Sequence, residues 1–560
     1  MAPRESDPVP RAERLAALAP FLAFALLLVV TRDRWIVPFR DSGRDAATAR
    51  RLLEGEVLYL DVVSWFGPLP ALLDAAALRI LDHLDALLAL RVGLSLLGVA
   101  ALLRVLRLST GDRSLAAALS TLVVTACLFL PCGGSVPFPY SVAALEGAVG
   151  CWWALALALG ASGPRASAAA ALVAGLAGGT KLEVLPAALL AIGPALLLRR
   201  PRREAILAIL GALALGAAAW VAPVLVFGAE TMRQHGYLLA GEISGSLGRF
   251  YGDLAFGGYG ADPFSPSQLL VVGLSAGLAA AAAALSRREG RGRAAALFLL
   301  GCATVALPGA GALSALVPAA LVLLVVAVLS REGLSANAGL VCLGIAALVP
   351  LARQPFALRG NPYTPFSAPL ALAFTLAWLS RATGHRRAFT AFVFGLAAAQ
   401  TGARILEVAA EPRLLVRFPR GRLSLPAPEA RLISQLVGRI QADTPPRSYV
   451  AAFPDGGLVL YLADRRSPFP DQQFHPGAQE KRAEREVLRL LGGRPLSAAF
   501  FLNRHHSEFG AGVFGLDYGQ DVLAALRPLL PSEELLGAHA PAQPCVLADQ
   551  ALYLLPARGP

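Results

Sequence analysis

Charge is what this 560-residue chain lacks most: Asp, Glu, Lys and Arg make up 16% of it, against about a quarter in an ordinary soluble chain. Hydrophobic residues make up 56%. They fall in blocks long enough to cross a bilayer, which takes roughly 20 residues each. This excludes an ordinary soluble enzyme and implies a polytopic α-helical membrane protein. Cysteine is scarce too. Cys127, Cys132, Cys151, Cys302, Cys342 and Cys545 form no CxxC pair and mostly lie in apolar blocks, so neither a disulfide framework nor a zinc site follows. No strong internal repeat supports an inverted-repeat transporter. No clear small-residue cleavage site follows the N-terminal apolar run, which reads as an uncleaved first span. The net charge of +12 does not point to nucleic acid, because most arginines sit in short runs between apolar blocks, where they orient the chain.

Those runs set the topology. "RVLRLSTGDR" (104–113), "RRPRR" (199–203), "SRREGRGR" (286–293), "SRATGHRR" (380–387) and the N-terminal Arg4, Arg11 and Arg14 belong on the cytoplasmic side. Two assignments follow. With both the N-terminus and 104–113 inside, span 15–31 goes out and 86–106 returns, so 67–84 is a helix lying at the outer surface, with Asp74, Arg79, Asp82 and His83 suited to an interface. The block 167–198 splits into 167–179 and 184–198, with Lys181 and Glu183 at the outer turn. The other spans are 114–131, 141–160, 205–227, 267–285, 293–308, 310–329, 336–351, 364–380 and 388–408, about thirteen crossings in all. The N-terminus is then cytoplasmic in a multi-pass cell (inner) membrane protein. Residues 1–408 form a transmembrane domain with a first external loop at 32–85.

From residue 409 apolar runs shorten. "PEARLISQLVGRIQADT" and "QEKRAEREVLRLLGG" have helical periodicity, and "SYVAAFP", "LSAAFFLN" and "QALYLLP" read as buried strands. Residues 409–560 are therefore expected to be an extracytoplasmic α/β domain.

The first external loop carries the densest charge, in "FRDSGRDAATARRLLEGEVLYLD" (39–61). A short helix is expected, with Asp41 or Ser42 as N-cap and Gly55 as C-cap. Asp41 and Arg44, one turn apart, share a face. On composition this is a solvated amphipathic helix with a capping Asp. The same pair also suits transfer from a phosphorylated lipid. The carboxylate takes a proton from an acceptor, and the guanidinium holds a phosphate by two hydrogen bonds.

An Asp just after the first span, then "DSGR", the helix "ATARRLLEGEVLY", an "FGPLP" turn and a further helix resemble the multispanning GT-C glycosyltransferases, in particular glycosyltransferase family 39-like proteins such as protein mannosyltransferases and the aminoarabinose transferase of lipid A. "FPYSVAALEGAVGCWWALALA" and "AGLAGGTKLE" fit the same group. The resemblance covers roughly 15–410 in layout. It implies a GT-C-like fold and inverting transfer of a sugar from a polyprenyl phosphate to a lipid, glycan or protein acceptor on the extracytoplasmic face. It also implies Asp41 as the base and Arg44 near the donor phosphate. Two positions depart from the pattern. "SWFGPLP" has Phe66 and Gly67 where the aminoarabinose branch has a lysine before its "PPL", a task left to Lys181. Ser42 stands where many members carry a second acid, so a divalent metal finds no support and no cofactor is called for.

Other candidates keep two readings. Lys181 is a phosphate ligand or a lysine snorkelling from a span end. Glu146, inside the fourth span, lines the donor pocket or pairs with an arginine such as Arg91. Asp61 is a second carboxylate or a surface cap. Tyr140 and Glu183 join the substrate-binding set from the external turns. Tyr237, Arg249 and Tyr251 lie in a long loop, 228–266, that is either a lid or a headgroup-level segment. Arg353 and Arg359 hold the lipid phosphate or are plain structural positives. Competing functions are a transporter or flippase of lipid-linked substrates, and an inactive scaffold. The first needs polar residues spread through the midplane, whereas here they gather at one face.

Overall fold

A computed structural model describes residues 11–238, 338–351, 364–474 and 485–556, with short breaks inside these ranges. The crossings expected at 267–285, 293–308 and 310–329 lie outside the described residues.

The first part is helical: α1 (Arg11–Val30), α2 (Asp41–Leu53), α3 (Pro68–Ile80), α4 (Leu84–Thr110), α5 (Arg113–Cys127), α6 (Val142–Leu159), α7 (Pro164–Gly178), α8 (Val184–Arg199), α9 (Arg202–Phe227), α10 (Ala229–Gln234), α11 (Ala338–Leu351), α12 (Thr364–Thr383) and α13 (Arg386–Ala410). Among the described residues, α1, α4, α6, α9 and α13 are long and apolar enough to cross a membrane. Leucines along α1 and α9, such as Leu22, Leu207 and Leu225, face outward, a surface suited to lipid rather than water. At 13 residues, or about 20 Å, α3 is too short to span. It turns Asp74, Ala75 and Leu78 inward and Leu72 and Ile80 outward.

Local chemistry sets the breaks. Gly111 closes α4 at φ 70°, and Asp112 caps α5 by accepting from the Leu115 N–H at 2.9 Å. Between α7 and α8 the apolar pattern is interrupted by Gly179, Thr180, Lys181 and Glu183, so the chain turns instead of continuing as one long helix. The arginine-bearing connections meet at one end of the bundle. There Arg199 donates to the Leu159 carbonyl at 2.6 Å and Arg381 to the Ser109 carbonyl at 3.4 Å. The turn holding Lys181 is at the opposite end.

After α13 the chain forms a hairpin of β1 (Arg413–Phe418) and β2 (Gly421–Pro426), then α14 (Ala427–Asp443), β3 (Tyr449–Phe453), α15 (Gly457–Ala463), β4 (Leu496–Leu502), α16 (Gln520–Leu526), β5 (Ser532–Gly537) and β6 (Gln550–Leu555). The sheet order is β3-β4-β6-β5, with β3 and β4 parallel and the other pairs antiparallel. The strands expected from "SYVAAFP", "LSAAFFLN" and "QALYLLP" are β3, β4 and β6. The hairpin, α15 and β5 were not expected, because each is short and lacks a clean period. The domain is not a separate globule. Leu423, Leu436, Val450 and Phe500 belong to the same apolar core as the helices before them.

Candidate functional site

The helix α2 is the expected one, but its charge is not a solvated face. Ala46, Ala47, Thr48, Ala49 and Arg51 are all buried, because the C-terminal domain packs over them. The approach is close: a Cβ on Gly43 would lie 2.9 Å from the Leu458 Cβ, so only glycine lets α15 sit there. Arg51 donates to the Phe469 carbonyl at 2.8 Å and the Asp61 carbonyl at 2.7 Å. Arg50 pairs with Glu54 at 3.0 Å and Asp82 at 2.8 Å, and Arg466 reaches Glu54 at 2.7 Å.

Beside this helix lies an open pocket. It is lined by Arg44, Asp45 and Thr48 of α2, by residues 63–67, by Pro70, Ala71 and Asp74 of α3, by Val142 and Ala143 of α6, and by Asp471, Gln472 and Gln473 of the C-terminal domain. The Asp41 backbone opens α2 one turn before Arg44; its side chain lies outside the described atoms. Arg44 donates through Nη2 to Asp45 at 2.8 Å and through Nη1 to Gln473 Oε1 at 3.0 Å. Its guanidinium sits 4.9 Å from the centre of the Phe66 ring.

Lys181 sits on that same ring, with Nζ at 5.5 Å. The two cationic centres are therefore no more than about 10 Å apart. The juxtaposition is built by backbone. The Gly67 N–H donates to the Thr180 carbonyl at 3.0 Å, and a Cβ on Gly67 would fall 1.8 Å from the Gly179 oxygen. Lys181 is only 6% exposed, so it does not snorkel. It pairs with Glu183 at 2.8 Å and lies behind Phe66 rather than on the pocket wall. Tyr59, buried at φ 70°, donates to the Phe66 carbonyl at 2.6 Å. Its ring packs with Tyr237 and Phe227, and Tyr237 in turn stands edge-on to Trp220. Tyr237 is thus core here, not a ligand-facing residue.

Beneath the pocket lies a buried ion pair absent from the sequence reading. Arg91 of α4, fully buried, donates to Asp74 at 2.6 Å and lies over the Phe138 ring at 5.2 Å. Asp74 is therefore not an interfacial side chain, and Arg91 is not the hydrogen-bond partner of Glu146. Among the described residues, Glu146, 7% exposed, has no hydrogen-bond partner for either carboxylate oxygen, a costly arrangement for a buried carboxyl. Burial pushes the Asp74 carboxyl up to about 6, against the pull of Arg91. A carboxyl raised on folding from 3.8 gives stability that is whole below about pH 4 and lost as pH rises through about 6. Asp74→Asn should abolish that slope, worth on the order of 2–3 kcal/mol. Melting temperatures of both proteins in detergent should lie close together at pH 4 and separate towards pH 7, wild type falling below Asp74→Asn; a constant difference excludes the effect.

The other sequence candidates scatter. Asp61 is exposed, its carboxylate accepting from the Val57 N–H at 2.8 Å, and it does not line the pocket. Glu183 is half-exposed and serves Lys181. Tyr140, Arg249, Tyr251, Arg353 and Arg359 lie outside the described residues. Asp471, Gln472 and Gln473 were missed, and no local signal marks them.

No protein-family model matches the chain, and no curated protein matches it. Among solved structures it is similar to the Archaeoglobus fulgidus oligosaccharyltransferase tethered with an acceptor peptide (12% identity, 92% of this chain and 72% of that one, TM-score 0.46). It is also similar to ArnT from Cupriavidus metallidurans in the apo state (14%, 97% and 98%, TM-score 0.43) and bound to undecaprenyl phosphate (13%, 97% and 98%, TM-score 0.42). At those scores no residue of this chain is matched to one of theirs.

Proposed function

We propose that this chain is an integral-membrane glycosyltransferase, taking a sugar from a polyprenyl phosphate and passing it to an acceptor on the extracytoplasmic face. The observation that carries this reading is the sharing of one aromatic ring, Phe66, by Arg44 and Lys181, 137 positions apart in sequence, at the rim of a pocket one helical turn from Asp41. The arginine-rich connections at the far end of the bundle support a cytoplasmic position for that end and an extracytoplasmic one for the pocket.

In the reaction, Asp41 accepts the proton of the acceptor hydroxyl or amine. The freed electron pair attacks the anomeric carbon from the face opposite the phosphate, and the bond from that carbon to the phosphate oxygen breaks. The polyprenyl phosphate leaves with the electron pair, its growing negative charge met by Arg44 on the pocket wall, with Lys181 adding its positive field from behind the Phe66 ring. Inversion follows from the direction of attack.

Binding tests the phosphate site directly. The purified full chain in detergent should bind undecaprenyl phosphate and not undecaprenol. Arg44→Ala should weaken that binding by about 10-fold or more, as loss of a charged hydrogen bond implies. Equal affinity for the phosphate and the alcohol, or an unchanged Arg44→Ala, overturns the assignment.

A further inference from the structure

The pocket is closed by a segment more than 400 positions from the helix it faces, and that segment is anchored on both sides. The Val63 N–H donates to the Pro470 carbonyl at 3.1 Å. Gln472 Nε2 donates to Thr48 Oγ1 at 2.8 Å, in buried surroundings. The Gln473 backbone bridges to Asp455, whose carboxylate pairs with Arg504, and Arg504 reaches back to the Phe39 carbonyl at 2.7 Å. The end result is one amide oxygen, Gln473 Oε1, set on Arg44 Nη1 at 3.0 Å.

Arg44 is thus aimed from two directions. Its Nε and Nη2 both donate to the Asp45 carboxylate, at 3.2 and 2.8 Å, which fixes one edge of the plane. Gln473 fixes the other. The contrast between the two holders matters. A hydrogen bond to a carboxylate is roughly twice as strong as one to a neutral oxygen. An amide orients the guanidinium yet gives way to a phosphate, whereas a second carboxylate would neutralise it and compete.

We propose that Gln473 is a positioning residue, through which the C-terminal domain aims Arg44 at the donor phosphate while leaving that edge of the guanidinium exchangeable. This rests on the phosphate-site reading above. It makes the C-terminal domain a working part of the donor site and not an appended acceptor module.

Gln473→Glu separates aim from architecture, since it is nearly isosteric and forms an ion pair with Arg44. The experiment measures undecaprenyl phosphate affinity and melting temperature for the full chain in detergent, for wild type, Gln473→Glu, Gln473→Leu and Arg44→Ala. The Glu variant should melt no lower than wild type and bind about 10-fold more weakly. The Leu variant should lose about 3- to 10-fold, because the guanidinium is no longer aimed. If the Glu variant binds as tightly as wild type, Gln473 has only a structural role and the proposal falls. If the Glu variant fails to insert, the Leu variant decides, and wild-type affinity there overturns it. If Arg44→Ala weakens binding but neither Gln473 variant does, this inference alone fails. If Arg44→Ala also binds normally, the phosphate-site reading fails with it.

Discussion

Asp41→Asn should reduce sugar transfer by about 10²- to 10⁴-fold, the range lost with a general base, with no change in insertion or melting temperature. The separation of the two effects comes from what asparagine keeps and what it loses. Asn is as good as Asp at the start of a helix, and it alters neither Asp45 nor Gln473, to which Arg44 donates. It cannot take a proton from an acceptor at neutral pH. Because Arg44 and Lys181 remain, undecaprenyl phosphate affinity should stay near wild type while turnover collapses, the mark of a group that acts only in the transition state. Incubating the purified chain with labelled polyprenyl-phosphate sugars and an acceptor membrane extract reads the turnover. Normal transfer by Asp41→Asn sinks Asp41 as the base, and loss of both transfer and lipid binding moves it into the phosphate site instead.

How far the site could be read in advance depends on the distance over which each part is specified. The turn at Lys181 was legible because "GGTKLE" interrupts an apolar block, and because arginine runs on either side demand an even number of crossings. Lys181 is also one of two lysines in a chain of 48 arginines. The helix at Asp41 was legible from its caps and alanine run. Its burial was not, since the covering residues, Leu458, Phe469 and Gln472, lie some 400 positions later in the C-terminal domain and carry no period in common with it. Asp74 shows the same limit from the other side. A charged residue in a short apolar helix reads as interfacial until the arginine that pairs with it is placed, and Arg91 sits on a different helix. Phe66 looked like the loss of a phosphate-binding lysine. In the structure it is the ring on which two cations converge, a role that no single position declares.

That convergence depends on a contact between two glycines, and Gly67→Ala should dismantle it. The added Cβ would lie 1.8 Å from the Gly179 carbonyl oxygen. The obstacle is backbone, so no side chain can rotate away, and the 64–70 and 179–183 turns must part by more than an ångström. Overpacking of this kind costs about 1–3 kcal/mol, and the Gly67 N–H bond to Thr180 at 3.0 Å goes with it, at about 1 kcal/mol more. The functional loss should be larger than the structural one. Lys181 rides on the turn that is pushed back and Phe66 on the turn that pushes it, so the two cations separate, and an ångström of misplacement is worth roughly 100-fold in rate. Lipid-phosphate affinity should fall together with transfer, unlike the Asp41→Asn case, where only turnover falls. Gly93→Ala is the control: a Cβ there meets nothing within 4 Å, and alanine within α4 should stabilise by up to about 1 kcal/mol. Equal lipid binding and transfer in Gly67→Ala and Gly93→Ala would mean that Lys181 and Phe66 need not touch for the chain to work.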